Sequence, residues 1–121
     1  MIKAVAIPKD KVSVLVVEDD VDDYNFIEAI VKGCCEEASM QWVQDGDQAV
    51  DYLFRKGEYQ DETRYPDPDL VFLDIRIPKK NGLEVAKLIK KDPRLKKLPT
   101  IMLTTSSSYT DVLNAYENGA N

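Results

Sequence analysis

The fold of this chain is decided by Val12-Ser13-Val14-Leu15-Val16-Val17-Glu18-Asp19-Asp20, an apolar segment that ends in three acidic residues. Its first six residues are β-branched and apolar on both faces, which is typical of a central strand buried in a parallel sheet. After the acidic turn, Asp22 and Asp23 suit the positive end of a helix dipole. One helical stripe then carries Tyr24, Ile27, Ile30, Val31 and Cys34. The segment therefore predicts a strand, an acidic turn and a helix.

The same alternation continues to the end of the chain. Further strands are predicted at Met40–Val43, Leu70–Asp74 and Thr100–Thr104. Helix caps are predicted at Asp45, at Asn81 paired with Glu84, and at Ser108, whereas Lys56–Asp69 is predicted to be a loop. The order βαβαβαβα indicates an α/β fold, with a parallel sheet covered by helices on both faces. Ligands of such folds bind at the carboxyl ends of the strands.

Composition excludes several functional classes. A length of 121 residues with 44% apolar and 31% charged residues predicts one globular domain. The absence of histidine removes Ser-His and Cys-His nucleophilic chemistry. A net charge of −6 disfavours direct binding to nucleic acid or to a membrane surface. The adjacent Cys34 and Cys35 cannot form a disulfide that links distant parts of the fold, and no signal peptide is visible. We therefore expect a cytoplasmic protein.

Polar side chains fall at three predicted strand ends. They are Glu18-Asp19-Asp20, Asp74 and Thr104-Thr105-Ser106. Clustered carboxylates without His or Cys favour Mg²⁺ or Mn²⁺ over zinc, and with a hydroxyl they suit phosphoryl transfer. Each signal also has a simpler interpretation, as a solvated capping run, a turn aspartate or threonines of high β-propensity. Their coincidence at one sheet edge favours a site.

The chain resembles the receiver domain of bacterial two-component response regulators. The resemblance rests on four blocks in order, namely Val14–Asp20, Val71–Pro78 with Asn81-Gly82, Pro99–Thr104 and Glu117–Ala120. It implies a flavodoxin-like doubly wound sheet. The long loop before strand three, the Asp92-Pro93 turn and Leu103–Ser106 look more like the small single-domain regulators paired with phytochrome-type histidine kinases.

The resemblance implies a role for each matching residue. Asp74 is the implied phosphoacceptor, taking a phosphoryl group from a sensor histidine kinase or a histidine phosphotransfer protein. Asp19, Asp74 and the backbone carbonyl of Arg76 are implied Mg²⁺ ligands, with Glu18 acting largely through water. Thr104 is the implied switch hydroxyl. Such a domain is no enzyme toward other molecules, because it catalyses only its own phosphorylation and dephosphorylation.

Four further positions concern the surroundings of the acceptor. Pro78 and Gly82 are implied to shape the loop beside it. Arg76 and Ser106 each lie two residues beyond an implied site residue, where they would flank the path of hydrolytic water. We therefore predict that both modulate how long the phosphoryl group persists.

Two elements of the family have no counterpart before Asn121, namely the lysine after strand five and the aromatic switch residue on it. We therefore expect an N-terminal extension at residues 1–10 and a receiver domain at 11–121 that lacks its last strand and helix. The expected sheet order is 2-1-3-4, with Ile101 and Leu103 on an open edge strand. Such an edge predicts marginal stability and self-association through it, or exchange of elements with a second copy, unless the polypeptide continues.

Three other functions remain as alternatives. A phosphatase of the haloacid-dehalogenase type needs an acid two residues after the nucleophile, where this chain has Arg76. A flavodoxin-like binding module needs a phosphate loop, and Glu18-Asp19-Asp20 would repel its anion. A pseudo-receiver would act only in docking, which the intact acidic residues disfavour.

Overall fold

A computed structural model of the chain describes residues 12–103. The predicted N-terminal extension, Thr104, Ser106 and the predicted fourth helix lie outside the described residues, so those predictions stay as they are. The described residues form seven main elements: β1 (Ser13–Val17), α1 (Val21–Cys34), β2 (Ser39–Val43), α2 (Gly46–Leu53), β3 (Leu70–Asp74), α3 (Gly82–Lys91) and β4 (Thr100–Leu103).

The four strands form one parallel sheet in the order β2-β1-β3-β4, as predicted. All five residues of β1 are buried, which fits its central place and its apolar sequence. Val17 of β1 pairs with Leu73 of β3, so these two strands end side by side. Within the described residues β4 pairs with β3 alone, and self-association through its edge stays a prediction.

Helices cover both faces of the sheet. One face packs against α2 and α3 through a core that includes Leu15, Leu53, Leu73 and Val85. The other face packs Val14 and Val16 of β1 against α1. The sheet is thus buried from both sides, which explains why its central strands read as continuous apolar runs.

Side chains cap the helices where the sequence predicts caps. The carboxylate of Asp45 accepts a hydrogen bond of 2.7 Å from the amide of Gln48. Asn81 and Glu84 form a reciprocal capping box at the start of α3. Asp20 caps α1 by accepting from the amide of Asp23 at 2.9 Å, so the acidic run has a structural role as well. These caps fix where each helix begins beside the sheet edge.

Two sequence interpretations need correction. The Lys56–Asp69 loop contains a short 3₁₀ helix at Gly57–Gln60, where no element was predicted. The guanidinium of Arg55 donates to the carbonyls of Tyr59 and Tyr65. These bonds hold the loop in place, although its sequence has no apolar periodicity. On the predicted stripe of α1, Ile27 and Val31 are buried but Ile30 is 49% exposed and Cys34 is also exposed. The buried stripe is therefore narrower than the spacing indicates.

Candidate functional site

Three carboxylates meet where β1 and β3 end. Glu18 and Asp19 follow β1 directly, and Asp74 is the last residue of β3. Each offers a ligand oxygen, and these oxygens all lie within 4.8 Å of one another. The parallel pairing of β1 with β3 brings them together, as the sequence predicts.

The cluster is electrostatically unfavourable without a cation. Glu18 and Asp74 are 3% and 4% exposed, whereas Asp19 is exposed. Burial raises the pKa of Glu18 to about 7, and the nearby charge of Asp74 adds to the rise, against a hydrogen bond from the Asp20 amide that lowers it. Carboxylate oxygens at this spacing form the hard donor set that a divalent cation accepts. The residues therefore fit a divalent metal.

Backbone hydrogen bonds hold the carboxylates in place. The amide of Asp20 donates to Glu18 Oε2 at 3.1 Å, and the amide of Arg76 donates to Asp74 Oδ1 at 3.1 Å. The second bond keeps the Arg76 backbone next to the Asp74 carboxylate. The Arg76 side chain itself is exposed.

Two glycines press against the loop that follows Asp74. A Cβ on Gly82 would lie 2.3 Å from the Asp74 carbonyl oxygen, and one on Gly46 would lie 1.8 Å from the Lys80 carbonyl oxygen. The amide of Gly46 also donates to Pro78 O at 3.1 Å, and that of Gly82 donates to Ile75 O at 2.9 Å. The loop after Asp74, residues 75–81, is thus held between the starts of α2 and α3.

Beside the carboxylates lies an apolar cavity of about 270 Å³. Its apolar lining comes from α1, β3 and β4, and Glu18, Asp23 and Asp74 form its acidic side. Phe26 and Ile30 of α1 line it and are 67% and 49% exposed. Ile30, an exposed residue of the α1 stripe, therefore faces this cavity together with Phe26.

Most predicted site residues of the described part come together as expected. Glu18, Asp19 and Asp74 form the cluster, and Arg76 adjoins it. Gly46 was not predicted to belong to the site, although a glycine directly after a capping aspartate is a visible signal. Trp42 was not predicted either, and its indole N–H donates to the Glu18 carbonyl. The sequence of β2 by itself does not indicate that contact.

Comparison with known proteins decides the family. Residues 14–121 match the family model described as the response regulator receiver domain. This chain belongs to that family. It is a receiver domain of two-component response regulators, which confirms the resemblance seen in the sequence.

The receiver domain is similar to regulators linked to phytochromes. It is 36% identical over 104 residues to the response regulator Rcp1 of Synechocystis sp., spanning 86% of this chain and 69% of Rcp1. The phosphorylated cyanobacterial phytochrome response regulator RcpA superposes with a TM-score of 0.84 at 34% identity, over 92% of this chain and 77% of RcpA. The Mn²⁺-bound form of Rcp1 gives 0.81 at 36% identity, over 90% and 76%. None of the helices within residues 12–103 has the length and apolar character needed to cross a bilayer.

Proposed function

We propose that this receiver domain accepts a phosphoryl group on Asp74, with Mg²⁺ bound by the neighbouring carboxylates. The observation that carries the proposal is the buried Asp74 carboxylate, which lies with Glu18 and Asp19 at the ends of two paired strands. A buried cluster of like charges destabilises the folded state, and such clusters are typical of functional sites such as phosphoryl-transfer sites. The Mn²⁺-bound form of the similar Rcp1 supports a divalent cation in this family.

In the proposed reaction, Asp74 Oδ attacks the phosphorus of a phosphodonor. The bond from phosphorus to the donor, a histidine nitrogen in a kinase, breaks as the acyl phosphate forms. Asp19, Asp74 and the Arg76 carbonyl would hold Mg²⁺, with Glu18 acting largely through water. When bound, the cation offsets negative charge on the phosphoryl oxygens. Thr104 follows β4 in sequence, and we keep it as the proposed switch hydroxyl.

The proposed partner is a sensor histidine kinase or a histidine phosphotransfer protein. Phosphodonors of this kind are what membership of the receiver family implies. The likeness to RcpA and Rcp1 supports a phytochrome-type kinase. The net charge of −6 supports a protein partner over direct contact with nucleic acid. The two free cysteines, Cys34 and Cys35, support a reducing compartment such as the cytoplasm.

Incubation of the full chain with acetyl phosphate or with a phosphorylated histidine kinase tests the proposal. We expect one phosphoryl group per chain by intact mass, formed only when Mg²⁺ is present and mapped to Asp74. Absence of the added mass with every donor would refute the function. Continuous release of phosphate from a phosphoester would instead indicate a phosphatase.

Replacing Asp19 with Asn should remove most of the stabilisation by Mg²⁺. A ligand at a hundredfold excess over its dissociation constant stabilises the folded state by about 2.7 kcal/mol. The measurement is the melting temperature with and without Mg²⁺. Asp22→Asn is the matched control, because Asp22 is exposed in the same acidic run but outside the cluster. An unchanged Mg²⁺ effect in Asp19→Asn would show that the metal binds elsewhere.

Arg76→Ala should shorten the lifetime of the phosphorylated protein. Arg76 is exposed and its amide is bonded to Asp74, so its long cationic side chain can partly cover the phosphoryl group against water. The measurement is the loss of label after the donor is removed, with Arg64→Ala as a control in the distant loop. A lifetime that stays the same or lengthens contradicts this role. Ser106, two residues after Thr104 in sequence, is proposed to modulate the same rate.

A further inference from the structure

Two aromatic rings, one on β2 and one on α1, stack on each other near the acidic turn after β1. Trp42 lies on β2 beside Val16, and Tyr24 lies in the first turns of α1. Their ring centroids are 4.3 Å apart and their planes differ by 11°, so the rings stack. Both side chains are half-buried. The stack therefore joins β2 of the sheet to α1.

Trp42 also makes a directed contact with that backbone. Its indole Nε1 donates a hydrogen bond of 2.5 Å to the carbonyl oxygen of Glu18. The amide of Glu18 donates in turn to the carbonyl of Val43 at 3.0 Å. Two successive residues of β2 therefore hold Glu18 through both of its backbone polar groups. Its side chain is held separately by the Asp20 amide.

The bonded carbonyl belongs to the peptide that joins Glu18 to Asp19. Because a peptide unit is planar, fixing its oxygen also fixes the direction of the Asp19 N–Cα bond. Asp19 is exposed whereas Glu18 is buried, so the direction of its backbone has a large influence on where its carboxylate lies. Stacking on Tyr24 restrains the Trp42 ring and so keeps the N–H aimed at this carbonyl.

We infer that Trp42 is a positioning residue of the metal site, acting through the Glu18–Asp19 peptide to set the ligand oxygen of Asp19. The inference rests on the proposed function, because it requires that the cluster binds Mg²⁺. Groups that orient metal ligands are commonly worth ten- to a hundredfold in metal affinity. Loss of the indole N–H should therefore weaken Mg²⁺ binding by about tenfold while the sheet stays folded.

Trp42→Phe tests the inference in the full chain, because phenylalanine keeps an aromatic ring and lacks the N–H. Tyr24→Phe is the matched control, since it keeps the stacked ring and loses only a hydroxyl whose hydrogen bond is with Glu28. The measurement is the Mg²⁺ dissociation constant of the folded protein, obtained from the dependence of the melting temperature on Mg²⁺ concentration, with melting followed by circular dichroism. We expect about a tenfold increase for Trp42→Phe and no change for Tyr24→Phe.

A second variant separates the N–H from the shape of the ring. Trp42 is the single tryptophan of the chain, so benzothienylalanine can replace it uniquely. This analogue keeps the bicyclic outline and has sulfur in place of the N–H, and it should weaken Mg²⁺ binding as Trp42→Phe does. A lower metal-free melting temperature with unchanged Mg²⁺ affinity would overturn the inference and leave the proposed function standing. A wild-type chain that shows no response to Mg²⁺ would overturn both.

Discussion

Asp74→Asn is expected to reduce phosphoryl labelling to background. The amide has no anionic oxygen to attack phosphorus, although its carbonyl oxygen can still accept the hydrogen bond from the Arg76 amide. The substitution also removes one of three carboxylates whose ligand oxygens lie within 4.8 Å of one another. We therefore expect the metal-free variant to melt at or above the wild-type temperature. Loss of labelling without loss of stability separates chemistry from folding.

Asp67→Asn is the matched control for this experiment. Asp67 is an exposed aspartate that pairs with Arg55 and Arg94 near the start of β3, at the end of the strand away from Asp74. It should label at the wild-type rate. Beryllofluoride, a mimic of the phosphoryl group, should perturb the wild type and the control but leave Asp74→Asn unchanged. Labelling that persists in Asp74→Asn would place the acceptor on another residue.

The fold could be predicted from sequence because its determinants are local and repeated. Each central strand is an apolar run, and capping residues such as Asp45 and Asn81 indicate where the next helices begin. The alternation of strands and helices predicts a parallel sheet whose strands end at one edge. The resemblance to receiver domains adds the strand order that places β1 beside β3, so the carboxylate cluster was predictable from the strand ends together with that resemblance.

The remaining features depend on contacts between residues distant in sequence. The bond from Trp42 to the Glu18 carbonyl joins positions 24 residues apart, and Arg94 donates to the carbonyl of Leu53 across 41 residues. No periodicity encodes such bonds, because a single polar atom on a half-buried side chain decides them. The 3₁₀ helix at Gly57–Gln60 escaped prediction because Arg55 and the neighbouring tyrosines stabilise it, with no apolar spacing to mark it.

The second large effect is expected for Gly82→Ala, because Gly82 lies against the backbone of the loop after Asp74. A methyl group there would lie 2.3 Å from the Asp74 carbonyl oxygen and 2.7 Å from Ile75 Cα. Both are backbone atoms of the strand end, so neither can rotate away as a flexible side chain would. Overpacking typically costs 1–3 kcal/mol, and we expect about 3 kcal/mol here. In a domain of this size that lowers the melting temperature by roughly 10–20 °C.

Gly33→Ala makes the comparison decisive, because the same change is made where nothing lies within 4 Å of the new methyl group. Gly33 is in α1, where alanine is favoured over glycine by about 0.5–1 kcal/mol, so this variant should be as stable as wild type or slightly more stable. Urea unfolding measures both. Because the clash moves the Asp74 backbone, Gly82→Ala should also label more slowly than its folded fraction accounts for, whereas Gly33→Ala should label normally. If Gly82→Ala has wild-type stability and labelling, the loop after Asp74 can move aside freely. Gly82 would then not hold Asp74 in place.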